Sequence, residues 1–189
     1  MNLEQLDADI QAAVADVRSR ITAYRNAGKT LFATSSFQTQ SIPLLHVLSQ
    51  VDRTIPIYFL NTGYHFAETI AFRDTVVSDL ELNLVDLRPL TPKVLQRDKD
   101  GVLYYASDPD HCCFMNKVQP LEPVLERMDV WVNGIRAVQS SQRARLRVEE
   151  PTPRERSAIT PCSTGPIQWC IATHTFTTCP RIPSMQPGM

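Results

Sequence analysis

Two adjacent thiols, Cys112 and Cys113, carry the most chemistry of any residues in this chain. A thiolate is a nucleophile and a ligand for soft metals, although a cysteine pair also packs readily as two small apolar side chains. His111 stands beside them, but three consecutive residues do not all point at one tetrahedral metal, which argues against a zinc site built from them. A second group is polar and fits an anion. Ser35-Ser36-Phe37-Gln38-Thr39-Gln40-Ser41 lies where a strand should hand over to a helix. Free backbone N–H groups and the helix dipole favour negative charge there, and the Ser35 and Ser36 hydroxyls add donors. Leu60-Asn61-Thr62-Gly63-Tyr64 ends a second apolar run, and Gly63 permits a close backbone approach or a positive φ. A third loop, Gly134 to Arg143, carries Arg136, Gln139, Ser140 and Arg143. Two guanidinium forks in one loop suit a sulfate or phosphate, which each can grip with paired hydrogen bonds. Arg145 and Arg147, further along, read as solvated charges.

These loops need elements to hold them. Leu3, Leu6, Ile10, Ala13, Val14, Val17 and Ile21 recur at helical steps and predict an opening amphipathic helix. Thr30 to Thr34 reads as a buried strand and Ser35 to Gln40 as its loop. A helix is expected from Ser41 to Leu48, with Ser41 as N-cap and Pro43 in the first turn. Pro56 to Leu60 predicts a second strand, Ala67 to Leu80 a helix, Leu82 to Leu87 a third strand and Val130 to Val132 a fourth, with a helix over Met115 to Met128. Alternating strands and helices predict an α/β fold with a doubly wound, mostly parallel sheet, whose ligands sit at the carboxyl ends of the strands. All three polar loops fall at those ends.

Bulk properties narrow the class. A chain of 189 residues suits one domain with a sizeable core. The net charge of −1 offers no general attraction for nucleic acid or an anionic membrane, so an anion site has to be local. No apolar run is long enough to span a bilayer, and the N-terminus lacks the pattern of a signal peptide. The expectation is a cytoplasmic protein whose five cysteines are thiols, ligands or redox groups instead of disulfides.

Four strings together carry a resemblance. Ser-Ser-Phe at residue 35, Asn-Thr-Gly-Tyr-His-Phe-Ala-Glu-Thr at 61, Cys-Cys-x-x-x-Lys at 112 and Gly-x-Arg-x-x-Gln-Ser-x-x-Arg at 134 stand in the order and rough spacing of the adenylyl sulfate and phosphoadenylyl sulfate reductases. The likeness runs from about Thr30 to Glu150. It implies an adenine nucleotide alpha-hydrolase-like (PP-loop type) fold and assimilatory reduction of adenylyl sulfate, or phosphoadenylyl sulfate, to sulfite. The expected reductant is thioredoxin or a glutaredoxin-like dithiol protein. By that resemblance Ser35, Ser36, Phe37, Gln38, Thr62 and Gly63 would lie against the nucleotide and its phosphosulfate. Lys117, Arg136, Gln139, Ser140 and Arg143 would surround the anionic groups. The tandem Cys112-Cys113 is similar to the pair that, with a later Cys-x-x-Cys, binds a 4Fe-4S cluster in the adenylyl sulfate enzymes. Two of those four ligands are present. The residues leave open whether the chain forms a homo-oligomer.

The resemblance stops past Glu150. The domain is expected over residues 1–150 and an irregular tail over 151–189, where seven prolines crowd together and no hydrophobic period persists. Cys162, Cys170 and Cys179 are spaced by eight and nine residues, so no two form Cys-x-x-Cys, and none sits in the family's Glu-Cys-Gly segment. No catalytic nucleophile can therefore be named. Back-translating Ser157 to Pro166 and reading one base earlier spells Arg-Tyr-His-Pro-Met-Leu-Asp-Trp, a string the family carries at this point. The same shift over His174 to Met189 recovers His-Asp-Leu-Pro-Pro-His-Pro-Leu. These strings predict a frameshift near Pro151 to Ser157 and a chain without reductase activity. Two other functions compete. An ATP-splitting enzyme of the same fold would carry a Ser-Gly-Gly-x-Asp-Ser loop, and Ser35 to Ser41 lacks its glycines and aspartate. A non-catalytic nucleotide-binding remnant fits the missing segments.

Overall fold

The computed structural model describes residues 3–134, 149–151 and 157–159. Helix α1 (Leu3–Asn26) turns Ile10, Val14, Val17 and Ile21 into the core, the face its apolar spacing sets. Leu3 and Leu6 belong to a turn whose side chains lie outside the description. Strand β1 (Leu31–Thr34) comes after it, then helix α2 (Ile42–Val51), strand β2 (Pro56–Leu60), helix α3 (Ala67–Leu80) and strand β3 (Asn83–Leu87). Two short helices, α4 (Tyr104–Ser107) and α5 (Pro109–Cys113), run into a π-helical turn at Phe114–Val118 and helix α6 (Gln119–Arg127). Strand β4 (Val130–Val132) comes next, and strands β5 (Glu149–Pro151) and β6 (Ser157–Ile159) complete the sheet.

The six strands are ordered β3-β2-β1-β4-β6-β5. All neighbours are parallel except β5 and β6. The chain winds outward from β1 to β2 and β3, then crosses back to place β4 on the other side of β1. That reversal opens a crevice at the carboxyl ends of β1 and β4, the usual ligand position of such sheets. The expected doubly wound fold is what the chain adopts.

Residue alternation sorts the sheet into two faces. Leu31, Ala33, Ile57, Phe59, Val130 and Val132 join residues of α1, α2 and α3 in one continuous core. The opposite face is aromatic: Phe32 stacks on Trp131 with centroids 6.0 Å apart and meets the edge of Tyr58 at 5.8 Å. The Trp131 indole N–H donates to Thr34 Oγ1 at 2.9 Å, which satisfies its one polar atom.

Several local features differ from what the residues predict. Ser41 precedes α2 but does not cap it with its side chain; a 3-10 turn at Thr39–Ser41 leads in, and the Ser41 hydroxyl bonds Ser36 Oγ at 3.2 Å. The single helix expected over Met115 to Met128 begins earlier, at Pro109, and is broken by the π-helical turn. Asp108 supplies the start signal, since its Oδ1 accepts from the His111 backbone N–H at 3.0 Å with Pro109 in the first turn. Strand β5 runs across the expected boundary at residue 150 and β6 lies beyond it, where it pairs with β4 through Val130↔Ser157 to Val132↔Ile159.

Candidate active site

The loop after β1 is shaped by one buried ring. Phe37 takes a positive φ of 53° and drives its side chain into the core, where it is 1% exposed and meets Phe59 edge-on at 5.8 Å. A bulky residue adopts this conformation at a cost of about 1–2 kcal/mol, which burial of the ring offsets. Ser35 Oγ accepts from the Phe37 backbone N–H at 3.0 Å and tightens the bend. With Phe37 anchored inward, Ser35, Ser36 and Gln38 are left on the wall of a cavity of about 630 Å³.

The second wall comes from the end of β2. Thr62 Oγ1 accepts from the Tyr64 backbone N–H at 3.2 Å, and Gly63 turns at φ 75°. His65 packs on the Phe59 ring at 4.7 Å and shares a 3.0 Å hydrogen bond with the Leu60 carbonyl. A carbonyl only accepts, so Nε2 is the ring nitrogen that carries hydrogen. Arg73 of α3 holds this strand end from behind. It is 7% exposed, lies 4.8 Å over the Phe59 ring, and donates to Asp86 Oδ1 at 2.8 Å, while Asp86 Oδ2 accepts from Asn61 Nδ2 at 3.0 Å.

The third wall is the segment from Tyr105 to Lys117. Tyr105, Pro109, Cys112, Cys113, Asn116 and Lys117 all line the cavity. Cys112 is half-buried, Cys113 is exposed, and both are free thiols. The Tyr64 hydroxyl is buried without a hydrogen-bond partner among the described residues. Burial first, then the neighbouring Cys112 side chain, raises its phenol pKa above the ordinary value. Lys93 lies 4.2 Å over the outer face of the Tyr64 ring.

Seven of the residues singled out from the sequence thus converge on one cavity: Ser35, Ser36, Gln38, Thr62, Cys112, Cys113 and Lys117. Phe37 and Gly63 do not line it. Phe37 is a core anchor that sets the loop's shape, and Gly63 is an exposed turn whose φ few other residues adopt. Arg136, Gln139, Ser140 and Arg143 lie outside the described residues. Sequence reasoning missed Tyr58, His65, Tyr105 and Asn116, which also form walls. Only Asn116 and His65 carried a signal, since they fall inside the quoted motif strings or between their fixed positions.

Comparison with known proteins settles the relationship. The family model of the phosphoadenosine phosphosulfate reductase domain matches residues 30–164. The chain belongs to this family. A relative named adenosine 5'-phosphosulfate reductase, from Chelativorans sp. (strain BNC1), is 38% identical over 78% of this chain and 62% of its own length. Another of the same name, from Mesorhizobium japonicum, is 40% identical over 62% of this chain and 46% of its own. The chain therefore spans about half the length of these curated reductases. Among solved structures, the phosphoadenylyl-sulfate (PAPS) reductase from Candida auris in a phosphate complex superposes with a TM-score of 0.74, covering 96% of this chain and 90% of that one at 19% identity. That likeness speaks for the reductase fold alone.

The fit of an iron–sulfur cluster can be tested on the thiols themselves. A four-iron cluster takes four thiolates. Cys112 and Cys113 are uncrosslinked, adjacent and open to the cavity, so donor type and access are right for half of such a set. Among the described residues no three metal-ligating side chains come together. No described helix is long and apolar enough to cross a membrane.

Proposed function

We propose that this chain forms the nucleotide-binding part of an assimilatory sulfonucleotide reductase, with adenylyl sulfate as the substrate. One observation carries the reading. Residues far apart in sequence that the reductase motifs single out, Ser35, Ser36, Gln38, Thr62, Cys112, Cys113 and Lys117, form the walls of one cavity at the sheet's reversal point. The loop after β1 gives hydroxyl and backbone donors to the phosphosulfate, and the Lys117 ammonium offsets its charge from the opposite wall. By the reductase motif that carries them, Arg136 and Arg143 would add two guanidinium groups to the anion site. The tandem thiols favour adenylyl sulfate over its 3'-phosphorylated form, because they match the pair that supplies half of a cluster in the adenylyl sulfate enzymes of the family.

The chemistry proposed for the complete enzyme is nucleophilic catalysis by a thiolate. The thiolate attacks the sulfate sulfur, the S–O bond to the phosphate breaks, and AMP leaves with the electron pair. The resulting S-sulfocysteine is attacked at its cysteine sulfur by one thiol of thioredoxin or a similar dithiol. Sulfite leaves, and the second thiol resolves the mixed disulfide, so the dithiol supplies both electrons. When bound, a 4Fe-4S cluster held in part by Cys112 and Cys113 would tie the segment that carries them to the remaining ligands and so hold this cavity wall in place. No described residue is a candidate for the attacking thiol, and the chain on its own is expected to bind nucleotide without turning it over. The reaction would belong to the cytoplasm, where a thiol reductant is abundant.

Titration calorimetry with AMP and with adenylyl sulfate tests the reading. One saturable site per chain is expected for both, and Lys117→Ala should weaken adenylyl sulfate by about tenfold, the worth of one charge-assisted contact. Heat that never saturates with either ligand would remove the nucleotide site.

A further inference from the structure

Behind the cysteine pair, two buried amides face each other. Gln96 is 0% and Asn116 2% exposed. Gln96 Nε2 donates to Asn116 Oδ1 at 3.0 Å, and Asn116 Nδ2 donates back to Gln96 Oε1 at 2.7 Å. Amide ends are usually ambiguous, but here two backbone carbonyls settle them. Gln96 Nε2 also donates to the Thr91 carbonyl at 2.8 Å, and Asn116 Nδ2 to the Cys112 carbonyl at 2.8 Å. Carbonyls only accept, so neither amide can be flipped without setting two acceptors against each other.

That orientation leaves the Asn116 N–H that serves the Cys112 carbonyl 3.5 Å from Cys112 Sγ as well. The residue sits in the π-helical turn just after the cysteines. Such a turn is one residue wider than an α-helical one, and it admits the side-chain amide next to the residue four positions back. Gln96 lies on a separate segment, before the Arg97↔Leu103 bridge. The pair therefore ties the cysteine-bearing helix to a loop twenty residues earlier in the chain.

We propose that Asn116, locked by Gln96, is a positioning residue that fixes the Cys112 sulfur toward the cavity for soft-metal ligation. The inference rests on the reading of Cys112 and Cys113 as metal-ligating thiolates. Hydrogen bonds to a ligating group and the residues that orient it are worth about 10–100-fold in metal affinity where they have been removed from other sites. Asn116 is suited to this work because it is neutral, turns the N–H that meets the Cys112 carbonyl toward the Cys112 sulfur as well, and is held by a partner that is itself fully satisfied. A buried pair of amides costs free energy unless each polar atom is met, and here each is.

Cadmium ion alone is the probe, with the full chain purified under argon. The readout is the cadmium concentration that half-protects Cys112 from iodoacetamide, resolved from Cys113 by fragmentation of the peptide that carries both. Asn116→Leu and Gln96→Leu should each raise that concentration about tenfold. Val124→Ala, which loosens α6 by removing a buried side chain that does not line the cavity, should leave it unchanged. Equal protection in wild type and Asn116→Leu would overturn the inference while leaving the metal reading intact. An equal rise in Val124→Ala would also overturn it, because general loosening would then explain the effect. If cadmium protects neither cysteine in the wild type, the metal reading falls and takes the inference with it.

Discussion

Arg73 shows how one side chain can support a site it never touches. Its guanidinium is buried between the Phe59 ring and the Asp86 carboxylate, and Asp86 in turn receives Asn61 from the turn that forms the second cavity wall. Without Arg73 the Asp86 carboxylate keeps Asn61 and a 3.5 Å contact from the exposed Arg88, and breaking a largely buried pair in this way costs about 3 kcal/mol. Arg73→Leu is therefore expected to lower unfolding stability in urea by about that amount. Arg73→Leu combined with Asp86→Leu should recover part of the loss, since the charges then left without these partners, Asp74 and Arg88, are solvated. A double variant as unstable as the sum of the singles would mean that the pair is not coupled. Phe37 makes a similar point about reading. The Ser-Ser-Phe string marks the loop correctly, but the phenyl ring serves the core while the neighbouring polar side chains face the cavity.

At the scale of elements, the cavity depends on where β4 meets β1. Thr30 and Asp129 stand just before these two strands and are stapled together. The Thr30 backbone N–H and hydroxyl donate to Asp129 Oδ2 at 2.8 and 2.7 Å, and the Asp129 N–H donates to Thr30 Oγ1 at 3.0 Å. The backbone hydrogen bond from Thr30, then its hydroxyl, holds the Asp129 carboxyl below its ordinary value of 3.8. The folded chain thus binds this proton less readily than the unfolded one. The stability that results is complete above the unfolded value and is lost as pH falls through the lower folded value. Asp129→Asn should accordingly melt at a lower temperature than wild type at about pH 6, with the gap closing by about pH 2.5. A gap that stays constant over that range would show that the ionised carboxylate is not what the staple uses. Helix and strand periods made most elements legible: α3 and strands β2 and β4 occur where the apolar spacing put them. The break in the last helix was not legible, because a π-helical turn keeps an apolar pattern close to that of the α-helix around it.

At the scale of the whole molecule, the stretch past Glu150 is where the family's later cysteine segments are expected. The family match continues to residue 164, and β5 and β6 join the sheet, yet the Cys-x-x-Cys and Glu-Cys-Gly segments that the resemblance implies do not occur in residues 151–189. The strings recovered by a one-base shift over Ser157 to Pro166 and His174 to Met189 support a frameshift near Pro151 to Ser157. DNA sequencing across the codons for Glu150 to Met189 and beyond should then show a single-base change that restores both cysteine segments in one frame. If the frame stands and neither segment is encoded in any frame, the chain is a nucleotide-binding piece without reductase chemistry.

The sequence by itself determined the class of fold, the order of the chemical loops and the family, because periodicity and short motifs are local properties that survive without coordinates. It also marked most of the polar residues on the cavity wall. Only the tertiary structure decided which of them share a wall, that Phe37 points inward, that Gln96 and Asn116 are partners across twenty residues, and that Arg73 braces the site from behind. Those relations depend on contacts between segments distant in the chain. Such contacts are set by how helices pack on a sheet, and no single stretch of residues encodes them.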